Sequence, residues 1–160
     1  MPNWCSNEVC ITGDAKDIKK IEKLLKSKES IFDFNKIAPE PDWKNIPNED
    51  GELPYLETDG QFIGFYKFKS TGKQDDRWYE WRLSNWGTKW GVGDVHYEHE
   101  EDVLRYDFDT AWSPPQGIYK KLNEMVADIS EDIHISWFYR EDGMQFAGYL
   151  NSEEYGGETE

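Results

Sequence analysis

The residues best equipped for chemistry lie between positions 82 and 112. Trp86, Trp90 and Trp112 offer large flat π surfaces, Arg82 and Lys89 set cations among them, and Asp94, Asp107 and Asp109 follow as carboxylates. Aromatic rings interleaved with bases can stack on a nucleotide or a single strand and pair with its phosphates. A pocket walled by the three tryptophans would use neighbouring carboxylates such as Asp94 and Asp109 to orient polar groups or to move protons. On a strand, Asp107 and Asp109 project from one face about 6–7 Å apart. That spacing resembles the phosphates of one DNA strand, so an acidic sheet edge can imitate a DNA backbone toward a DNA-binding protein. The plainer readings are a local aromatic core and a solvated face that prevents edge-to-edge pairing.

Other reactive residue types occur without the company they need. His96, His99 and His134 include a His-x-Glu pattern through Glu98, but positions 96 and 99 of a regular strand face opposite sides, so no metal site is expected. Cys5 and Cys10 are too few for an iron–sulfur cluster, would point to opposite faces of a shared strand, and have no histidine neighbour in sequence. Ser84 and Ser113 lack a nucleophile-elbow context, and Gly91-Val-Gly93 lacks the rest of a phosphate-binding fingerprint. No catalytic residue and no cofactor is expected.

Charge sharpens the choice of partner. The 160 residues carry 18 Lys plus Arg against 33 Asp plus Glu, a formal net charge of −15. Such a field repels duplex DNA and anionic membrane and suits a basic partner. Gln61–Trp90 runs the other way, with six bases (Lys67, Lys69, Lys73, Arg77, Arg82, Lys89) against Asp75, Asp76 and Glu80. Asp94–Asp109 holds seven acids with Arg105 as the one base. Aromatic residues make up 16% of the chain and the mean hydropathy is −0.90, so the core should use few, large side chains. No segment has the run of about 20 apolar residues that a span needs. The N-terminus lacks a signal-peptide pattern, which places the expected location in the cytoplasm.

These residues need a frame. Asn7–Thr12 reads as a strand, and Asp14 can cap a helix whose stripe is Ile18, Ile21, Leu24 and Leu25. Ile31–Ile37 alternates as a half-buried strand does. Pro39–Gly60 is loop-like, Asp75–Ser84 is weakly helical, and Val92–Glu98 and Val103–Trp112 read as strands. Ser113 predicts a capping box with Gln116, opening a helix striped by Ile118, Leu122, Met125, Val126 and Ile129. Ile133–Tyr139 and Gln145–Leu150 close as a hairpin. The order implies an α+β fold with a βαββαβ core, a mainly antiparallel sheet carrying both helices on one face. Residues 1–150 form one domain with an insertion at about 39–91 and an extra C-terminal strand; residues 151–160 are an acidic tail expected to fray. The other sheet face is left to the insertion, a partner or solvent.

Four stretches, Met1–Asn7, Leu83–Trp90, Phe108–Pro115 and Phe146–Gly148, resemble in order a family of small phage- and plasmid-borne proteins with a YubB-type ferredoxin-like domain. The resemblance implies a ferredoxin-like topology without iron and a mobile-element setting. It implies no catalytic residues. Together these features favour a non-enzymatic acidic interaction protein that engages a basic partner through its acidic sheet edge and aromatic insertion. The alternative is a small-ligand or nucleotide-binding domain, an enzyme among its variants, with a pocket formed by Trp86, Trp90 and Trp112. Both readings bring those three rings into contact, with turns at Gly87 and Gly91 folding the first two toward the third.

Overall fold

The computed structural model describes residues 2–58 and 64–151. Gln61–Ile63 of the basic aromatic segment and nearly all of the acidic tail therefore lie outside the described residues. The chain opens with β1 (Trp4–Thr12) and α1 (Ala15–Leu25), then a one-turn helix α2 (Phe34–Ile37) and a 3-10 turn at Trp43–Asn45. A short hairpin of β2 (Tyr55–Glu57) and β3 (Phe65–Lys67) precedes α3 (Arg77–Asn85). The remaining elements are β4 (His96–Glu100), β5 (Val103–Ala111), α4 (Gln116–Ile129), β6 (His134–Glu141) and β7 (Phe146–Tyr149).

Five strands form one sheet in the order β4-β5-β1-β6-β7, and each adjacent pair is antiparallel. β4 lies beyond β5 and runs parallel to β1, so β1, α1 and β4 make a split βαβ unit. With β5, α4 and β6 this completes the expected ferredoxin-like βαββαβ core, and β7 is the extra strand. Both long helices cover one face. Ile18, Ile21 and Leu25 of α1 and Ile118, Leu122 and Val126 of α4 share one core with Val9, Ile11, Leu104, Tyr106, Phe108, Ile135 and Trp137. Phe32 sits at its centre, with ring centroids 4.9 Å from Tyr106, 5.0 Å from Phe108 and 6.1 Å from Trp137. Large rings thus do the filling that a longer aliphatic list does elsewhere. Among the described residues no helix is long and apolar enough to cross a membrane.

Two local expectations fail for identifiable reasons. Ile31–Ile37 is no strand. The Asp33 N–H bonds back to the Leu25 carbonyl at 2.9 Å, and the Asp33 carboxylate caps α2 by accepting from the Asn35 N–H at 2.9 Å. Phe32, Phe34 and Ile37 still all reach the core, which is why their spacing looked like alternation. Ser113 does not cap α4: its hydroxyl donates to the Gly87 carbonyl at 2.9 Å. The first turn of α4 is satisfied by the C-terminus of α3, where the Trp86 carbonyl accepts from the N–H groups of Gly117 (3.1 Å) and Ile118 (3.4 Å). An added Cβ at Gly117 would run into the Asn85 carbonyl, so the two helix ends can abut only through glycine.

Candidate functional site

Strand alternation sends half of each strand away from the helices, and no element in the described residues forms a second layer there. The register builds one row across all five strands of this open face: His96, Asp107, Glu8, Phe138 and Tyr149. Beside it run Glu98, Arg105, Cys10 and Ser136 on one side and Asp109, Ser6 and Arg140 on the other. Phe138 and Tyr149 pack with ring centroids 5.1 Å apart. Glu8, Cys10, Arg105, Asp107, Phe138 and Tyr149 line a shallow hollow of about 340 Å³.

Glu8 and Asp107 are direct cross-strand partners. Like charges placed so are destabilising. Among the described residues no ion pair within 4 Å reaches Glu8, Arg105, Asp107 or Asp109; Arg105, next to Asp107 on the same face of β5 and diagonal to Glu8 in the same hollow, is one cation beside two acids. A sheet that breaks a pairing rule without closing an ion pair across it marks the kind of place where function overrides stability.

One end of the open face is aromatic. Trp4 has the same strand parity as Ser6 and Glu8, is 47% exposed, and packs against Trp90 with centroids 6.0 Å apart. Trp90 is 38% exposed, and the Lys89 ammonium lies 4.4 Å from its ring centre. Trp112 is 48% exposed just past β5, where its N–H donates to the Asn3 carbonyl at 2.8 Å. Its φ of +71° puts a bulky residue in the left-handed region, a conformation that costs about 1–3 kcal/mol and is kept only where the surroundings enforce it. Exposed tryptophans near a sheet rim have the character of interface anchors.

The loop that carries Trp90 is tied down from beneath. Gly87, with φ +88°, reverses the chain between buried Trp86 and exposed Trp90, and an added Cβ there would meet Gln116. Thr88 donates to the Ala111 carbonyl at 3.0 Å, and Arg82 Nη1 to the Lys89 carbonyl at 3.1 Å. Deeper still, fully buried Asn7 accepts from the Trp137 indole at 3.0 Å and donates to Thr110 Oγ1 at 2.9 Å. Thr110 in turn donates to the Ser113 carbonyl at 2.6 Å. A hydrogen-bonded chain therefore runs from the core tryptophan to the aromatic end of the face.

The predicted site residues divide accordingly. Asp107 and Asp109 share the open face, with Lys89 and Trp90 at its end. Trp86, Trp90 and Trp112 do not cluster: among the described residues no ring pair joins any two of them. Trp86 is 2% exposed and packs edge-on to Phe34 (5.4 Å) and Trp81 (5.9 Å), its indole donating to the Ala38 carbonyl at 2.9 Å. The positive φ at Gly87 is what separates it from Trp90. Asp94 sits at a different hollow, opposite Lys26–Ile31. Arg82 is spent as a strut, bonding Glu40 Oε1 through Nε (3.0 Å) and Nη2 (2.8 Å) while stacking on Trp78 and Trp86. Among the described residues no three His, Cys, Asp or Glu side chains converge to hold a metal ion. Trp4, Glu8, Phe138 and Tyr149 were missed. The even-numbered alternation Trp4, Ser6, Glu8, Cys10 was the available signal for the first two.

Residues 85–159 match the model of a family described as the ferredoxin-like domain in Api92-like protein. Among solved structures, the crystal structure of a protein api92 from Yersinia pseudotuberculosis is similar, with a TM-score of 0.57 and 11% identity over 93% of each chain. That likeness concerns the fold alone. No curated protein matches the chain.

Proposed function

We propose that this ferredoxin-like domain is a non-enzymatic interaction protein that binds a basic protein through the open face of its sheet. The observation that carries the reading is the row in which Glu8 and Asp107 oppose each other with no ion pair formed to either, beside Asp109 and Glu98. Cationic side chains laid across that row remove a repulsion the free protein bears, and the net charge of −15 speeds their approach. Trp4 and Trp90 at one end of the face, with Phe138 and Tyr149 on the β6–β7 flank of the row itself, supply apolar anchors around the charges. The resemblance to phage- and plasmid-borne proteins favours a host or element-encoded partner, with a nucleic-acid-binding protein the natural basic candidate. Duplex DNA itself is not a ligand on this account.

The experiment is capture of partners from cell lysate at low and high salt. Wild type is compared with Glu8→Gln/Asp107→Asn/Asp109→Asn and with a charge-matched control neutralised at Asp128, Glu131 and Asp132. The reading expects a basic protein that elutes with salt, is lost by the open-face variant and is kept by the control. Equal loss in both variants would reduce the effect to net charge and defeat the assignment to this face.

A further inference from the structure

A further concave feature lies away from the open face, between residues 40–44 and α3. It is a groove of about 400 Å³ whose walls include Trp43, Tyr66 and Trp78, with Glu40, Asp42 and Asp75 among them. That volume falls in the range of small-molecule sites.

Its walls are held by two arginine struts. Arg77 makes a two-pronged pair with Asp75, through Nε to Oδ1 and Nη2 to Oδ2, both at 2.9 Å. The same guanidinium donates to the Trp43 carbonyl at 2.9 Å and the Pro47 carbonyl at 3.3 Å, lying 5.1 Å from the Trp43 ring centre. Arg82 pairs with Glu40 and stacks 5.0 Å from the Trp78 ring centre. The Trp43 indole donates to Glu40 Oε2 at 2.9 Å, which joins the two walls. Both rings are thus fixed before any ligand arrives.

We propose that this groove binds an alkylated ammonium group. Aromatic faces attract cations through their quadrupole, and walls of several rings are the recurrent means of holding quaternary ammonium. Asp75 pairs with Arg77 and Glu40 with Arg82, which leaves Asp42 and Lys44 as the remaining charges of the lining. Three of the five N–H groups of Arg82 are engaged inside the protein, two of them on Glu40, so its charge is already paired. Lys44 reaches Asp42 only at 3.8 Å with both side chains more than half exposed, a pairing that solvent screens. Asp42, which accepts from Asn45 Nδ2 at 2.7 Å, is left at the rim as the carboxylate without a guanidinium partner. An ammonium with methyl groups meets aromatic walls and a carboxylate at the rim.

The test titrates the full chain with choline and with 3,3-dimethylbutan-1-ol, its uncharged isostere, following tryptophan fluorescence and heat. Choline should bind about tenfold or more tightly than the alcohol, because the charge is what the rings recognise. Asp42→Asn, a substitution at an exposed rim, should weaken choline several-fold with the thermal midpoint unchanged. Trp43→Phe, which keeps a ring but weakens its quadrupole and removes the bond to Glu40, should weaken choline at least as much. A short peptide carrying trimethyl-lysine distinguishes sources: tighter binding than choline points to a protein side chain, and weaker binding to a free small molecule. Equal binding of choline and alcohol, displacement of choline by inorganic phosphate, or no response to choline or peptide at millimolar concentration would overturn the proposal. None of these results bears on the open face.

Discussion

Replacing Asn7 by Ala removes the hub of the buried polar chain. Its Oδ1 is the acceptor for the indole N–H of Trp137, and its Nδ2 serves the Cys5 carbonyl (3.1 Å), the Phe108 carbonyl (3.4 Å) and Thr110 Oγ1 (2.9 Å). Trp137 is fully buried, so water cannot replace the lost acceptor. An orphaned buried donor costs about 1–3 kcal/mol. Thr110 keeps its own donation to Ser113, so the bonds from Nδ2 and the small void add about 1 kcal/mol more. The expected loss is roughly 3 kcal/mol, or about 6–12 °C in Tm for a domain of this size. Urea denaturation followed by circular dichroism measures it. The same substitution in a Trp137→Phe background, where no indole N–H exists to be orphaned, should cost about 1–2 kcal/mol less. An unchanged midpoint, or an undiminished cost in that background, would refute the reasoning.

Trp112→Ala should shift stability by less than about 1 kcal/mol in the same assay, because the ring is half exposed; a core tryptophan would lose about 3–5 kcal/mol. A thiol reagent should modify the native protein once, at Cys10 on the open face. Cys5 stays unmodified until unfolding, since burial and nearby Glu141 push its thiol up to about 11, and Cys10→Ser should abolish the native reaction. Asp75 is held below its ordinary value of 3.8, chiefly by the Arg77 hydrogen bonds. Its contribution to stability is therefore complete above that pH and lost as pH falls through the lower folded value, because the unfolded chain takes up the proton first. Acid titration of the unfolding midpoint should show Arg77→Leu losing part of that dependence; an identical acid profile would contradict the pairing.

The helix stripes were legible because both α1 and α4 obey the 3.6-residue period that their burial requires, and the shared face of Asp107 and Asp109 followed from period two alone. What failed depended on non-local or backbone information. Phe32, Phe34 and Ile37 fit a strand by spacing, yet a bond from Asp33 back to Leu25 turns the chain first. Trp86 and Trp90 stand four residues apart in one motif and end in opposite environments, because a positive φ at Gly87 lies between them. The opposition of Glu8 and Asp107 is a matter of register between distant strands, which no local pattern encodes. Ser113 had the right neighbours for a cap, but its hydroxyl serves the loop under Trp90 instead.

The central claim is that the open acidic row is where the partner sits, and carboxylate footprinting tests it most directly. The protein, free and saturated with the basic partner it captures, is labelled with a carbodiimide and an amine, and modification is read at each Asp and Glu by mass spectrometry. Labelling at Glu8, Asp107 and Asp109 should fall several-fold in the complex, while Asp128 and Asp132 keep their free-state reactivity. Unchanged labelling along the row, with protection appearing elsewhere on the chain, would contradict the account.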